Sequence, residues 1–98
     1  MDELGFEWDP GKAGANHRKH GVGFIEATSA FADESALLLA DPDHSSREDR
    51  FLLLGMSDRV RLLVVSHTYR SGGDVIRIVS ARKATRREAR LYVWRWLG

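Results

Sequence analysis

His67, Arg70, Arg77, Arg82, Lys83, Glu88 and Tyr92 gather toward the carboxy terminus. They combine a proton-transfer group, several phosphate-seeking cations and a carboxylate. Such a set suits cleavage of a phosphodiester beside a ribose 2′-OH without a metal. A base takes the hydroxyl proton, the oxygen attacks phosphorus in line, Arg and Lys stabilise the added negative charge, and an acid protonates the departing 5′-oxygen. His67 fits proton transfer because an unperturbed imidazole titrates near pH ~6.5. One His is not a pair, so Lys83, Tyr92 or Glu88 must supply the second group. Plainer roles stand beside these: Glu88 as a helix-capping residue, Tyr92 as core, and Arg77 as the flank of a strand edge.

Other chemistries have less support. The chain has no Cys, which excludes a disulfide framework, a thiolate zinc site and a cysteine nucleophile. His17 and His20 are three apart, and Asp9 or His44 would extend them toward a metal site. No His-Glu-x-x-His pattern or convergent third ligand accompanies them, so no metal is expected. The run from Asp41 resembles the start of a calcium loop but has Ser46 where Gly is needed and Leu52 where Glu is needed. Gly21 and Gly23 bracket one Val without the spacing or Lys of a nucleotide loop, and no Ser sits in a nucleophile elbow. No cofactor is implied.

The elements that must position these residues follow from periodicity. Phe6, Glu7 and Trp8 alternate as a short strand, after which Asp9 serves as N-cap and Pro10 as the first residue of a polar surface helix ending near His20, with Gly21 as its left-handed stop. A second helix over about 23–32 places Phe24, Ala27, Thr28 and Phe31 on one face. Four apolar runs over 36–40, 49–56, 61–69 and 74–81 read as an antiparallel meander, turning at Asp41-Pro42-Asp43, Ser57-Asp58 and Ser71-Gly72-Gly73. Thr85-Arg86-Arg87-Glu88 is a capping box opening a last helix, whose Ala89, Tyr92, Val93 and Trp96 form a face for the sheet. On the last strand, alternation gives Ile76 and Ile78 to the core and groups Val75, Arg77 and Val79 opposite. His67 groups with Val65 and Tyr69 on the neighbouring strand. If the His67 and Arg77 faces coincide, a His and an Arg stand side by side near Arg82 or Lys83.

The fold class is thus α+β: a short N-terminal strand, two helices, a four-stranded antiparallel meander and a C-terminal helix. At 98 residues and 43% hydrophobic, the chain has room for one domain over 1–98. Its apolar runs fall short of the ~18 residues a bilayer span needs. The acidic start, MDELGFEWD, lacks the basic and apolar regions of a secretory signal, which makes the cytoplasm the expected compartment. The formal charge of +1 hides a split. Residues 1–58 carry five Lys and Arg against twelve Asp and Glu, whereas 59–98 carry nine Arg and Lys83 against Asp74 and Glu88. A polyanion-binding surface needs such an excess of Arg.

The blocks FEWDPGKAGANHRKHGVGFIEATSAFAD, REDRFLLLGMS, HTYR and IRIVSARKATRREARLYV, taken in order, resemble the BrnT family. Its members are toxins of type II BrnT/BrnA toxin–antitoxin modules, and the resemblance runs from about Phe6 to Tyr92. The most specific pieces are IRIVSARKATRRE with the downstream Tyr, NHRKHG, and the segment from Glu48 to Phe51. The resemblance implies a RelE-like fold and an endoribonuclease that inhibits translation. It further implies a BrnA-type antitoxin with a ribbon-helix-helix segment, which neutralises the toxin in a hetero-oligomer and contacts promoter DNA, and no membrane. Arg77, Arg82 and Lys83 match the family's basic strand-to-helix segment, His67 and Arg70 its preceding strand, and Glu88 and Tyr92 its final helix. On that basis Arg77 and Arg82 are assigned to phosphate binding and transition-state stabilisation, His67 to acid–base work, Lys83 to either, and Arg70, Arg86 and Arg87 to RNA binding. Gly23 replaces the Ser usual at the second helix start, and the aromatic tail Trp94-Arg95-Trp96-Leu97 suits a docking face. The alternative is a module without catalysis that binds RNA or a partner as the regulatory subunit of such a complex.

Overall fold

The computed structural model describes residues 5–41 and 49–97, with the side chains of Trp96 and Leu97 outside that description. Strand β1 (Gly5–Glu7) leads into helix α1 (Pro10–His20) and helix α2 (Phe24–Ala30). Strands β2 (Leu37–Ala40), β3 (Phe51–Met56), β4 (Leu62–Arg70) and β5 (Val75–Lys83) follow, and helix α3 (Arg86–Leu97) closes the chain. The sheet order is β1-β5-β4-β3-β2. The four later strands form the expected antiparallel meander, and β1 lies parallel to β5 at the other edge.

The local signals act as their chemistry dictates. Asp9 accepts from the Lys12 N–H at 2.9 Å, Pro10 opens α1, and Gly21 ends it at φ 70°. Ser71, Gly72 and Gly73 turn the last hairpin with positive φ throughout. Thr85 and Glu88 close the capping box reciprocally, Glu88 Oε1 accepting from Thr85 N at 2.8 Å and Thr85 Oγ1 from Glu88 N at 3.2 Å. The Asp41-Pro42-Asp43 turn lies largely outside the described residues.

Two cores result, one on each face of the sheet. Phe24, Ala27 and Ala30 of α2 pack with Leu53, Leu63, Val65, Ile78 and Ala81, and Phe6, Trp8 and Phe31 lean on the same cluster. On the opposite face, Tyr92 of α3 packs with Leu54 and Val64, beside Leu37, Leu52 and Leu62. The expected α3 face is narrower than its periodicity suggests. Tyr92 is buried, but Val93 is half exposed, because α3 meets the sheet over about one turn, where the Tyr92 hydroxyl donates to Asp33 at 2.7 Å.

Candidate functional site

Strand β5 positions the candidate arginines, and an irregularity decides where they point. Ser66 pairs with Ser80 but His67 with Ile78, so Val79 is an extra residue, a β-bulge. Before it, Ile76 and Ile78 face the α1/α2 core; after it, Ala81 does. Strict alternation would send Arg82 into that core. The bulge resets the phase and puts Arg82 on the same face as Arg77, toward α3. Asn16 of α1 secures the reset segment. Its amide donates to Ala81 O at 2.9 Å and Val22 O at 2.9 Å and accepts from Ala81 N at 3.1 Å. Strand β1 pairs β5 only from Val75 to Arg77. Beyond that point the buried Asn16 amide takes the place of a neighbouring strand.

At the end of β5, Arg82 meets Glu88 in a two-pronged pair, Nη1 to Oε1 at 2.7 Å and Nη2 to Oε2 at 2.9 Å. The Arg82 guanidinium, helped by the Thr85 N–H, holds the Glu88 carboxyl down to about 2. So held, Glu88 is a fixed anion and a weak base. Lys83, Arg86 and Arg87 stand exposed around this junction and pair with no carboxylate among the described residues. Arg86 and Arg87 occupy the first turn of α3, at the positive pole of the helix dipole, where acidic residues are favoured.

Arg77 belongs to a separate group at the other end of the sheet. Its Nη1 donates to Glu7 Oε2 at 2.6 Å across the β1–β5 register, and Arg70 Nε lies 3.6 Å from the same oxygen. Five residues of strand place Arg77 roughly 15 Å from Arg82. The two arginines share a face but not one centre.

His67 corrects the expectation of a shared His–Arg face. It pairs with Ile78, not Arg77, and lies on the α1/α2 face, fully buried among Phe31, Phe51 and Tyr69. Nδ1 lies 3.0 Å from Val65 O and Nε2 3.2 Å from Tyr69 Oη. Burial pushes the imidazole below its ordinary value, favouring the neutral ring. Tyr92 is likewise engaged. Burial alone would raise the Asp33 carboxyl, but bonds from Met56 N–H, the Tyr92 hydroxyl and Ser35 N–H hold it low. The Tyr92 hydroxyl therefore faces a fixed carboxylate in the link between α2 and β2. The structure thus gathers Arg82, Lys83, Glu88, Arg86 and Arg87, sets Arg70 and Arg77 apart, and keeps His67 on the far face.

A cleft of about 300 Å³ opens elsewhere, between α1, α2 and the β3–β4 turn, lined by His17, Glu26 and Arg61 among others. None of the sequence-predicted site residues lines it. Arg61 pairs there with Glu26, which also accepts from Ser57 Oγ at 2.7 Å. These bonds, Arg61's first, hold the Glu26 carboxyl low. Sequence reasoning passed over Glu7, Glu26 and Asn16. The one available signal was an acidic residue between two aromatics in β1 and another on the otherwise apolar α2.

Comparison with known proteins fits this architecture. No curated protein matches the chain. The crystal structure of the Brucella abortus ribonuclease toxin, BrnT, is 21% identical and superposes with a TM-score of 0.65 over 86% of this chain and 100% of that one, a likeness of fold. The family model described as the ribonuclease toxin, BrnT, of type II toxin–antitoxin system matches residues 8–88. With that match spanning both sheet faces and the β5–α3 junction, the chain belongs to the BrnT family of ribonuclease toxins of type II toxin–antitoxin systems.

Proposed function

We propose that residues 1–98 form a single toxin domain that acts in the cytoplasm as a metal-independent endoribonuclease, cutting RNA through attack by its own 2′-OH and so blocking translation. The observation that carries this reading is the cluster of Arg82, Lys83, Arg86 and Arg87 at the β5–α3 junction. Two arginines at the positive pole of a helix are unfavourable until an anion arrives, and a phosphate at a helix N-terminus is that anion. In this arrangement Arg86 and Arg87 hold the backbone phosphates and Arg82, oriented by Glu88, faces the phosphorane charge. The attacking 2′-oxygen forms its bond to phosphorus as its proton leaves to solvent. The bond to the 5′-oxygen breaks as the Lys83 ammonium donates to it, leaving 2′,3′-cyclic phosphate and 5′-hydroxyl ends. His67, Tyr92 and Glu88 hold the scaffold around this reaction, and Arg77 and Arg70 bind RNA further along the sheet. A BrnA-type antitoxin carrying a ribbon-helix-helix segment neutralises the toxin and contacts promoter DNA on the complex's behalf.

A second reading, an RNA- or partner-binding regulatory subunit without catalysis, has one observation in its favour: Glu88, Tyr92 and His67 are all committed to other bonds. One experiment separates the two. Purified protein is incubated with a defined RNA, with and without EDTA, beside Arg82→Ala and Lys83→Ala, and the fragments' end groups are identified. Cleavage that survives EDTA, leaves cyclic ends and falls about 10²-fold or more in the variants supports the enzyme. Binding without cleavage by folded protein transfers support to the second reading.

A further inference from the structure

Two of the candidate arginines are held by carboxylates, but in different ways. Arg82 is gripped by both oxygens of Glu88, which the capping box anchors in turn. Glu7 offers Arg77 one oxygen, and the same oxygen lies 3.6 Å from Arg70. Its side chain is 37% exposed, and those of Arg77 and Arg70 are 34% and 57% exposed. One carboxylate oxygen between two solvent-facing guanidinium groups is a weak, replaceable arrangement, since exposed pairs of this kind contribute little net energy. A phosphate brings the same planar pair of acceptors with more charge, and Arg forks match it better than a single oxygen does. Register fixes the geometry. Glu7 sits opposite Arg77 on β1, and Thr68 sits opposite Arg77 on β4, so both arginines and the carboxylate lie on the face that carries Arg82.

Resting on the ribonuclease reading above, we infer that Glu7 is an internal competitor for RNA phosphate. It occupies the Arg77–Arg70 pair in the free protein and yields it when the RNA backbone extends along the sheet from the β5–α3 junction. Glu7 is a positioning and affinity-setting residue and takes no part in bond breaking. In the free toxin it keeps Arg77 extended across β1, and it lowers affinity for short or weakly charged RNA that does not reach both ends of the sheet.

The test measures binding of a single-stranded 2′-O-methyl RNA, which carries the phosphates but cannot be cleaved by 2′-OH attack, over a range of salt. The proteins are the wild type, Glu7→Gln, Arg77→Gln, the double variant and Asp58→Asn. The last makes the same change in net charge at an exposed position on the β3–β4 turn. Glu7→Gln is expected to tighten binding about two- to fivefold, the equivalent of an exposed ion pair, and to steepen the salt dependence by about 0.7 in log–log slope, one more phosphate contact. Arg77→Gln abolishes that gain in the double variant, and Asp58→Asn leaves affinity within about 1.5-fold of wild type. Equal tightening by Asp58→Asn, or a gain that persists in the double variant, reduces Glu7 to a net-charge effect and overturns the proposal while the ribonuclease reading stands. Unchanged or weaker binding by Glu7→Gln in a wild type that binds RNA does the same. Failure of every folded variant to bind RNA overturns both.

Discussion

Replacing Asn16 by Ala tests how the candidate site is held in place. Asn16 is 7% exposed and makes three hydrogen bonds to backbone: two to Ala81, just past the β-bulge, and one to Val22 in the α1–α2 link. Each such bond contributes about 0.5–1.5 kcal/mol net, and an orphaned buried partner costs more when water cannot reach it. Three bonds therefore amount to about 2–4 kcal/mol, against a total stability of about 5–15 kcal/mol for a domain of this size. In thermal unfolding this corresponds to a fall in Tm of about 10–25 °C, at about 4–8 °C per kcal/mol. Urea unfolding reads the same loss as a lower midpoint at unchanged m-value. Asn16→Asp is expected to do no better, since it keeps an acceptor for the Ala81 N–H but turns a charged oxygen toward the Ala81 and Val22 carbonyls. Hydrogen exchange adds a local readout: the Ala81 amide is expected to lose protection in Asn16→Ala more than the Val64 and Val65 amides of β4 do. A variant within about 0.5 kcal/mol of wild type, with Ala81 still protected, would refute the claim that a side-chain amide replaces the missing strand.

Four further outcomes follow from the geometry. Glu88→Gln is expected to lower stability by about 1–2 kcal/mol at neutral pH, discounted for its partial exposure, through loss of the Arg82 fork and half the capping box. Because the folded Glu88 carboxyl is held down to about 2 against an ordinary 4.5, its share of stability is full above 4.5 and lost as pH falls toward 2, so the difference between wild type and Glu88→Gln in urea unfolding shrinks across that window. His67 gives a window at higher pH: burial lowers its value, so the unfolded chain binds the proton first and stability drops as pH falls below about 6.5; His67→Phe should flatten that slope between pH 7 and 5, and a persistent slope would assign it elsewhere. Gly55→Ala places a Cβ 2.8 Å from the Ala30 carbonyl oxygen of α2, which must shift, at a cost of about 1–3 kcal/mol in denaturant unfolding. Arg87→Glu is expected to raise Tm slightly, by about 0.3–1 kcal/mol of helix-dipole stabilisation, while weakening RNA binding at low salt; a loss of both would mean that Arg87 serves the fold.

The fold was legible because its signals are local and mutually consistent. Asp9-Pro10 and Gly21 bracket α1, Ser71 to Gly73 turn the hairpin, and Thr85 and Glu88 open α3, each through a bond between near neighbours in the chain. The candidate site was legible in composition and not in arrangement. The cluster at the β5–α3 junction is contiguous in sequence, so Arg82, Lys83, Arg86, Arg87 and Glu88 meet whatever the sheet does. Whether His67 joins Arg77 depends on the relative phase of two strands, and one unpaired residue, Val79, sets that phase for everything after it. No periodicity announces a bulge. The hint available was Arg82 itself, a cation at a position that strict alternation from Ile76 and Ile78 would bury.

The charge split shows the same limit from another side. Along the sequence, an acidic first part and a basic remainder suggest a polyanion surface filling one end of the molecule. In the fold, acids of the first part travel to the second: Glu7 to Arg77 and Glu26 to Arg61, while Glu88 takes Arg82 from within. Pairing of this kind removes charge from the surface field wherever the geometry is tight. What remains unpaired among the described residues is therefore more informative than the total. Lys83, Arg86 and Arg87 keep their charge at a place where the helix dipole already repels it, at the expense of stability. An arrangement that works against the fold and invites an anion is where a phosphate-binding function leaves its mark. On that argument the β5–α3 junction is the place to look for the scissile phosphate, ahead of the larger cleft on the opposite face, whose Arg61 and Glu26 already satisfy each other.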